Sequence, residues 1–145
     1  MAIISGPPTL SVSSAGFTGS GESLEIIGNH IYGYSGQIAA STTVQDALKF
    51  RTGKYYAVVT VEFSGYMTPT DPTNGTSGNA MIKLDDAIVG ELRTAMDITS
   101  SGNPTNADCK IIIPAYTEFK VTVDAGANSA TKLTTISVTG RIYRG

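Results

Sequence analysis

The final third of the chain alternates apolar and polar residues strictly enough to dictate its backbone. In Glu118-Phe119-Lys120-Val121-Thr122-Val123 the apolar side chains share one face and the polar ones the other. Ile136, Val138 and Ile142 repeat the pattern against Ser137, Thr139 and Arg141, and Ile111-Ile112-Ile113-Pro114 precedes both runs. A period of two places successive side chains on opposite faces of a pleated strand. Such runs in succession predict an antiparallel sheet with one face on a core. No catalytic or ligand-binding constellation accompanies this scaffold, so the chain reads as a structural or binding protein before it reads as an enzyme.

At 145 residues the chain fits one domain with a sizeable core. Charged residues make up only 15%, against about 25% in ordinary globular chains. Thr, Ser, Gly and Asn take their place, a mix common in β-rich extracellular and virion proteins. The net charge is −2 and the ten Lys and Arg are scattered. A nucleic-acid partner needs clustered cations against phosphate, so none is expected. Met1-Ala2-Ile3-Ile4-Ser5-Gly6-Pro7-Pro8 has neither a basic stretch nor a long apolar one, and does not read as a signal peptide. No run approaches the roughly 18 apolar residues of a membrane span, so no membrane partner is expected. With one cysteine, Cys109, no intrachain disulfide can form.

Along the chain, residues 1–8 read as an extended arm, because Pro7-Pro8 forbids helix and favours polyproline geometry. Residues 9–145 read as a single β-sandwich domain. Thr9–Ser13 suits a short strand, and Gly16, Gly19 and Gly21 a flexible turn. Glu22–Ile27 and Ile31–Gln37 are strand candidates separated by Gly28-Asn29, a dipeptide that allows positive φ. Ala40–Phe50 is the one place where a turn of helix is expected, capped by Ser41 or Thr43. Tyr55–Phe63 is the strongest strand, with Tyr55, Ala57, Val59, Val61 and Phe63 on one face. Its other face carries Tyr56, Val58, Thr60 and Glu62, half of it apolar, which predicts cover on both sides. Residues 66–79 and 97–108 read as long polar loops. Between them Met81–Leu84 and Ile88–Ala95 make a hairpin through Asp85-Asp86, and 126–130 connects tightly into the last strand. The sum is an all-β chain, an antiparallel β-sandwich of about eight strands, jelly-roll-like.

The chemistry-bearing residues read blandly. His30 is the only histidine, and the further partners that a metal site or a hydrolytic triad needs do not accompany it in sequence. Cys109 has no neighbouring base and reads as a small structural thiol. Asp85-Asp86 suits turn chemistry better than calcium, since adjacent strand residues point to opposite faces. Glu22 and Glu25, three apart on a strand, make a poor acid/base pair. Asn74-Gly75-Thr76 reads as a loop tip. No catalytic residue, cofactor or metal is therefore expected. The seven tyrosines say more, because tyrosine brings large rigid area with a polar tip to interfaces. Core packing accounts for about half of them on this reading, and subunit contacts for the rest. With the half-apolar face of the Tyr55–Phe63 strand they predict a homotrimer. The candidate interface residues are Ile3, Ile4, Pro7, Pro8, Tyr56 and Val58.

The segments Gly28-Asn29-His30-Ile31-Tyr32-Gly33-Tyr34-Ser35-Gly36-Gln37, Ala47-Leu48-Lys49-Phe50-Arg51-Thr52-Gly53, Ile112-Ile113-Pro114-Ala115-Tyr116-Thr117-Glu118 and Val138-Thr139-Gly140-Arg141-Ile142-Tyr143 resemble small structural proteins of tailed bacteriophages, particularly marine and cyanophage types. The family resembled is that of capsid decoration, or cement, proteins, and the resemblance covers roughly residues 28 to 143. Its motifs are scaffold motifs, so no binding residue carries over. The resemblance implies a trimer on the outer surface of the virion, partnered by the major capsid protein. The alternative is a receptor- or glycan-binding head domain of a phage fibre, or a trimeric ligand of the tumour-necrosis-factor/C1q shape.

Overall fold

A computed structural model describes residues 18–20, 23–67, 76–96 and 105–143. The expected arm over 1–8, the Thr9–Ser13 strand and the Asn74-Gly75 loop tip lie outside the described residues. The elements are β1 (Thr18–Ser20), β2 (Ser23–Ile27), β3 (His30–Tyr34), β4 (Ile38–Ala40), β5 (Gln45–Arg51), β6 (Tyr56–Met67), β7 (Thr76–Leu84), β8 (Ala87–Met96), β9 (Thr105–Ile113), β10 (Glu118–Ala125) and β11 (Ser129–Tyr143). One sheet runs β1-β5-β10-β7-β8 and the other β2-β3-β11-β6-β9, with β4 also against β11. All pairings are antiparallel.

The strand order identifies the roll. Without the short β1, β2 and β4, the sheets read β5-β10-β7-β8 and β3-β11-β6-β9. The last strand inserts between the first and third of these eight. The penultimate inserts between the second and fourth. That nesting is the jelly roll, an all-β sandwich of two Greek keys. The expected count of about eight strands corresponds to this set, to which β1, β2 and β4 are added.

Alternation explains most of the core. Ala57, Val59, Val61 and Phe63 of β6 meet Phe119, Val121 and Val123 of β10 and Ile136, Val138 and Ile142 of β11 in one buried cluster. Phe50 and Phe119, register partners across β5 and β10, stack with ring centroids 4.8 Å apart. Turn chemistry fixes the hairpins. Gly28 has φ +62°, as the first position of a type II′ turn requires. Asp85 and Asp86 both have positive φ (47° and 67°), the type I′ pattern that joins β7 to β8.

Four expectations need correction. The helical turn within Ala40–Phe50 is strand β5. The pairing moves from Val121↔Leu48 to Thr122↔Asp46, leaving Ala47 as an extra residue. This bulge buries Ala47 and Leu48 together, which breaks the period of two and mimics helical spacing. The loop over 66–79 is shorter, since β6 continues through Met67 and β7 starts at Thr76. Likewise β9 starts at Thr105, inside the expected 97–108 loop. The connection over 126–130 ends early because β11 begins at Ser129. In the last three cases Thr, Ser, Asn and Gly read as loop, but sheet neighbours saturate the backbone and override propensity.

Candidate functional site: an apolar groove at one end of the sandwich

Four connections gather at one end of the roll. Residues 52–55 join β5 to β6, and 114–117 join β9 to β10. Thr52 N donates to Thr117 O (3.0 Å) and Tyr116 N to Gly53 O (2.8 Å). The hairpin turns close in beside them, with Asp85 N donating to Glu118 O and Ile142 N to Asn29 O. The buried Thr52 hydroxyl locks the two longer connections together. It donates to Pro114 O (2.6 Å) and accepts from Thr117 N (2.9 Å). Arg51 Nη2 adds a bond to Tyr116 O (2.8 Å).

Against this tied frame lies a groove of about 640 Å³, lined by Lys54, Tyr55, Tyr56, Ile112, Pro114 and Tyr143. Tyr56 and Tyr143 are register partners at the ends of β6 and β11. Their rings stack 5.2 Å apart at an interplanar angle of 8°. Lys54 Nζ sits 5.1 Å above the Tyr55 ring, a cation–π contact. The apolar side chains are open to solvent: Ile112 is 63% exposed, Tyr56 43% and Tyr143 41%. At the neighbouring turn Tyr116 holds φ +55° with its ring exposed. A bulky residue in the left-handed region costs of order 1–3 kcal/mol.

The registers extend this apolar end onto the outer face of the second sheet. Arg141 lies between His30 and Val58, and Val58 faces Ile112. The next rows are Glu25, Tyr32, Thr139, Thr60 and Lys110, then Tyr34, Ser137, Glu62 and Asp108. His30 is exposed and stacks on Tyr32 at 6.3 Å. A smaller slot of about 320 Å³ opens between Tyr32 and Tyr34, beside Glu25 and Thr139.

Of the sequence-predicted interface residues, the structure brings Tyr56 and half-buried Val58 onto this one surface. Ile3, Ile4, Pro7 and Pro8 lie outside the described residues. The core accounts for fewer tyrosines than expected: Tyr55 packs against it, while Tyr32, Tyr34, Tyr56, Tyr116 and Tyr143 are exposed. Sequence reasoning missed Ile112 and Tyr143. The signal for Ile112 was present, because three consecutive isoleucines cannot all face one side of a strand. Tyr143 joins the groove only through its pairing with Tyr56, which is non-local.

Among the described residues the titratable groups make no clustered centre. Among the described residues no group of three or more His, Cys, Asp or Glu could hold a metal ion. No helix of the described residues is long and apolar enough to cross a membrane. The Cys109 thiol is raised by burial and then by the Asp108 charge. On the opposite sheet, Lys120 Nζ bonds Asp86 Oδ1 at 2.9 Å. This bond lowers the Asp86 carboxyl and raises the Lys120 ammonium.

No protein-family model matches the chain, and no curated protein does. Among solved structures it is similar to a chain of the T13 particle of infectious bursal disease virus, at 12% identity and a TM-score of 0.46, covering 72% of this chain and 28% of that one. A chain of the Gt strain of the same virus gives 13% identity and a TM-score of 0.44, covering 88% and 33%. A CBM4 structure gives 11% and 0.39, covering 86% of both chains. The chain spans a third or less of the viral chains it matches. At such identities the likeness is one of chain path alone.

Proposed function

We propose that this chain is a structural virion protein that sits as a homotrimer on the outer surface of a bacteriophage capsid, bound to the major capsid protein. On this reading it is not an enzyme and takes no cofactor. The observation that carries the reading is the open apolar groove, in which Ile112, Tyr56 and Tyr143 stand in solvent and continue onto Val58. Exposed apolar surface of this kind is unfavourable by about 25 cal/mol per Å² and marks an interaction site. Tyrosine-rich surfaces suit protein–protein contact. The sequence resemblance to decoration proteins supplies the phage class. Light scattering of the purified protein at micromolar concentration tests the trimer: a mass of three 15.1 kDa chains is expected, and a clean monomer refutes it. Mass spectrometry of purified virions, giving copies per particle, tests the capsid role.

A second reading is favoured by the slot between Tyr32 and Tyr34. Two exposed rings beside a carboxylate and a hydroxyl are suited to stacking on, and hydrogen bonding to, a sugar, as a fibre head would require. Binding to a glycan array that Tyr32→Ala abolishes would favour it over capsid docking.

A further inference from the structure

We propose that the groove is filled by residues 3–8 of this same chain type, Ile3-Ile4-Ser5-Gly6-Pro7-Pro8, with the isoleucines against Ile112 and the prolines against the tyrosine rings. The inference needs only the groove and this segment. It uses the same groove as the trimer and capsid reading: a segment from an adjoining copy makes the groove a subunit contact, and the chain's own segment closes it to other partners.

The path of the chain puts the segment in reach. β1 runs antiparallel to β5, with Thr18 against Arg51. β5 leads directly into residues 52–55, which carry Lys54 and Tyr55 of the groove wall. Thr18, the first residue of β1, therefore lies at the end of the roll where the groove opens. An extended stretch from Pro8 to Thr18 spans up to about 33 Å at ~3.3 Å per residue. From β1 to the β6–β11 end of the groove the chain must pass a few strand spacings of ~4.8 Å and one inter-sheet gap of ~10 Å, about 20–25 Å in all. The span suffices for the chain's own groove, and for that of a copy packed against this end of the roll.

The chemistry matches as well. The segment has no charged side chain, and the lining groups are apolar or aromatic except Lys54, whose ammonium already sits over Tyr55. Aromatic-lined grooves bind proline segments because the polyproline conformation is preformed and loses little entropy on docking. Two adjacent isoleucines supply apolar area that solvent would otherwise hold. The frame is fixed beforehand by the Thr52 hydroxyl, so the groove is ready to receive a ligand.

Photo-crosslinking the full chain tests the proposal. A diazirine amino acid replaces Ile4, and the irradiated protein is mapped by peptide mass spectrometry. Adducts on Tyr56, Ile112, Pro114 or Tyr143 are expected. An adduct within one chain means its own groove, and one between two chains means a neighbour's; both support the proposal. Adducts confined to other surfaces, or none, overturn it, and an adduct on an added capsid protein alone places the segment outside the groove and overturns it too. In a second arm, the peptide Met1–Pro8 is titrated into protein lacking residues 2–8. Ile112→Asp should weaken its binding about tenfold or more, as losing one buried aliphatic contact does. Equal binding to both overturns the proposal. The mass of the full chain is read in parallel. A monomer with groove adducts sinks the trimer and keeps this inference, and a trimer with adducts elsewhere does the reverse.

Discussion

Gly140 lies in β11 where that strand is sandwiched between β3 and β6, opposite Ile31 on one side and Val59 on the other. A Cβ at this position would lie 2.1 Å from Val58 O, 2.6 Å from Val59 Cα and 2.8 Å from Val59 Cγ1. The first distance falls more than an ångström short of the ~3.3 Å at which carbon meets a carbonyl oxygen. Two of the three atoms are backbone, and β6 is held on its other side by β9, where Val58 and Val59 pair with Ile112 and Ile111. No rotamer change can relieve the clash, so the β6–β11 ladder must open. Overpacking costs about 1–3 kcal/mol where side chains can yield, and more where they cannot. Gly140→Ala should therefore cost about 3 kcal/mol or more, which for a chain of this size lowers Tm by roughly 6–12 °C. Gly33→Ala is the control, because its Cβ would meet the flexible tips of Leu48 (3.2 Å) and Leu24 (3.4 Å) and reach only ordinary van der Waals contact with Val138 Cβ (3.6 Å), and about 1 kcal/mol or less is expected. Gly28→Ala has open space but a φ of +62°, and should cost about 1 kcal/mol through backbone strain alone. Guanidinium denaturation at matched protein concentration, followed by far-UV circular dichroism, ranks the three. If Gly140→Ala costs no more than Gly33→Ala, the close approach of β11 to β6 is wrong.

Thr52→Val keeps the shape of the side chain but strips the bond to Pro114 O and leaves Thr117 N without its acceptor. A loss of about 1–3 kcal/mol is expected in the same denaturation assay, and an unchanged midpoint would show that the hydroxyl does not tie the connections. Asp86→Asn keeps the turn geometry and removes the negative charge that pairs with Lys120. The lowered Asp86 carboxyl contributes stability present above its ordinary value of 3.8 and lost as pH falls through the folded value. The raised Lys120 ammonium contributes stability present below its ordinary 10.5 and lost as pH rises through the folded value. The gap between wild type and Asp86→Asn should thus be widest between those limits and narrow beyond each; a gap that does not vary with pH refutes the pair. Cys109, raised by burial and by Asp108, should react with a thiol reagent at pH 7.5 more slowly than free cysteine, and a rate at or above that of the free thiol would contradict its placement.

The parts of the fold visible in the sequence are those where each strand obeys its own period. β6, β10 and the end of β11 qualify, because Val61, Val121 and Val138 alternate with polar neighbours and need no partner to be read. β5 was hidden by its bulge at Ala47, a feature set by the register with β10 some 70 residues away. The opening strand residues of β7 and β9 were hidden by their side chains. Asn79 and Asn106 favour turns locally, yet their backbones pair with Arg93 and Ser64. The groove was legible in halves: Tyr56 and Val58 announced an apolar outer face, and Ile111-Ile112-Ile113 an isoleucine with nowhere to go. That Tyr143 and Pro114 join them depends on which strands are neighbours, and no local pattern encodes that.

The insertion of β11 between β3 and β6 also bears on how the molecule is made. The last strand of the roll to be synthesised fills the middle of its sheet. Until it arrives, β3 and β6 each present an unpaired edge, and the hydrophobic faces of Ile31, Val59 and Phe63 lack the Ile136, Val138 and Ile142 that cover them. The nascent chain therefore has no smaller closed unit to fall back on, and every contact that completes the roll spans a long stretch of sequence. Folding of this kind is slow and waits until β11 has been made. Open strand edges during that wait are templates for pairing with other copies. A cell producing the protein in quantity would have to keep unfinished chains apart until residue 143 has cleared the exit tunnel.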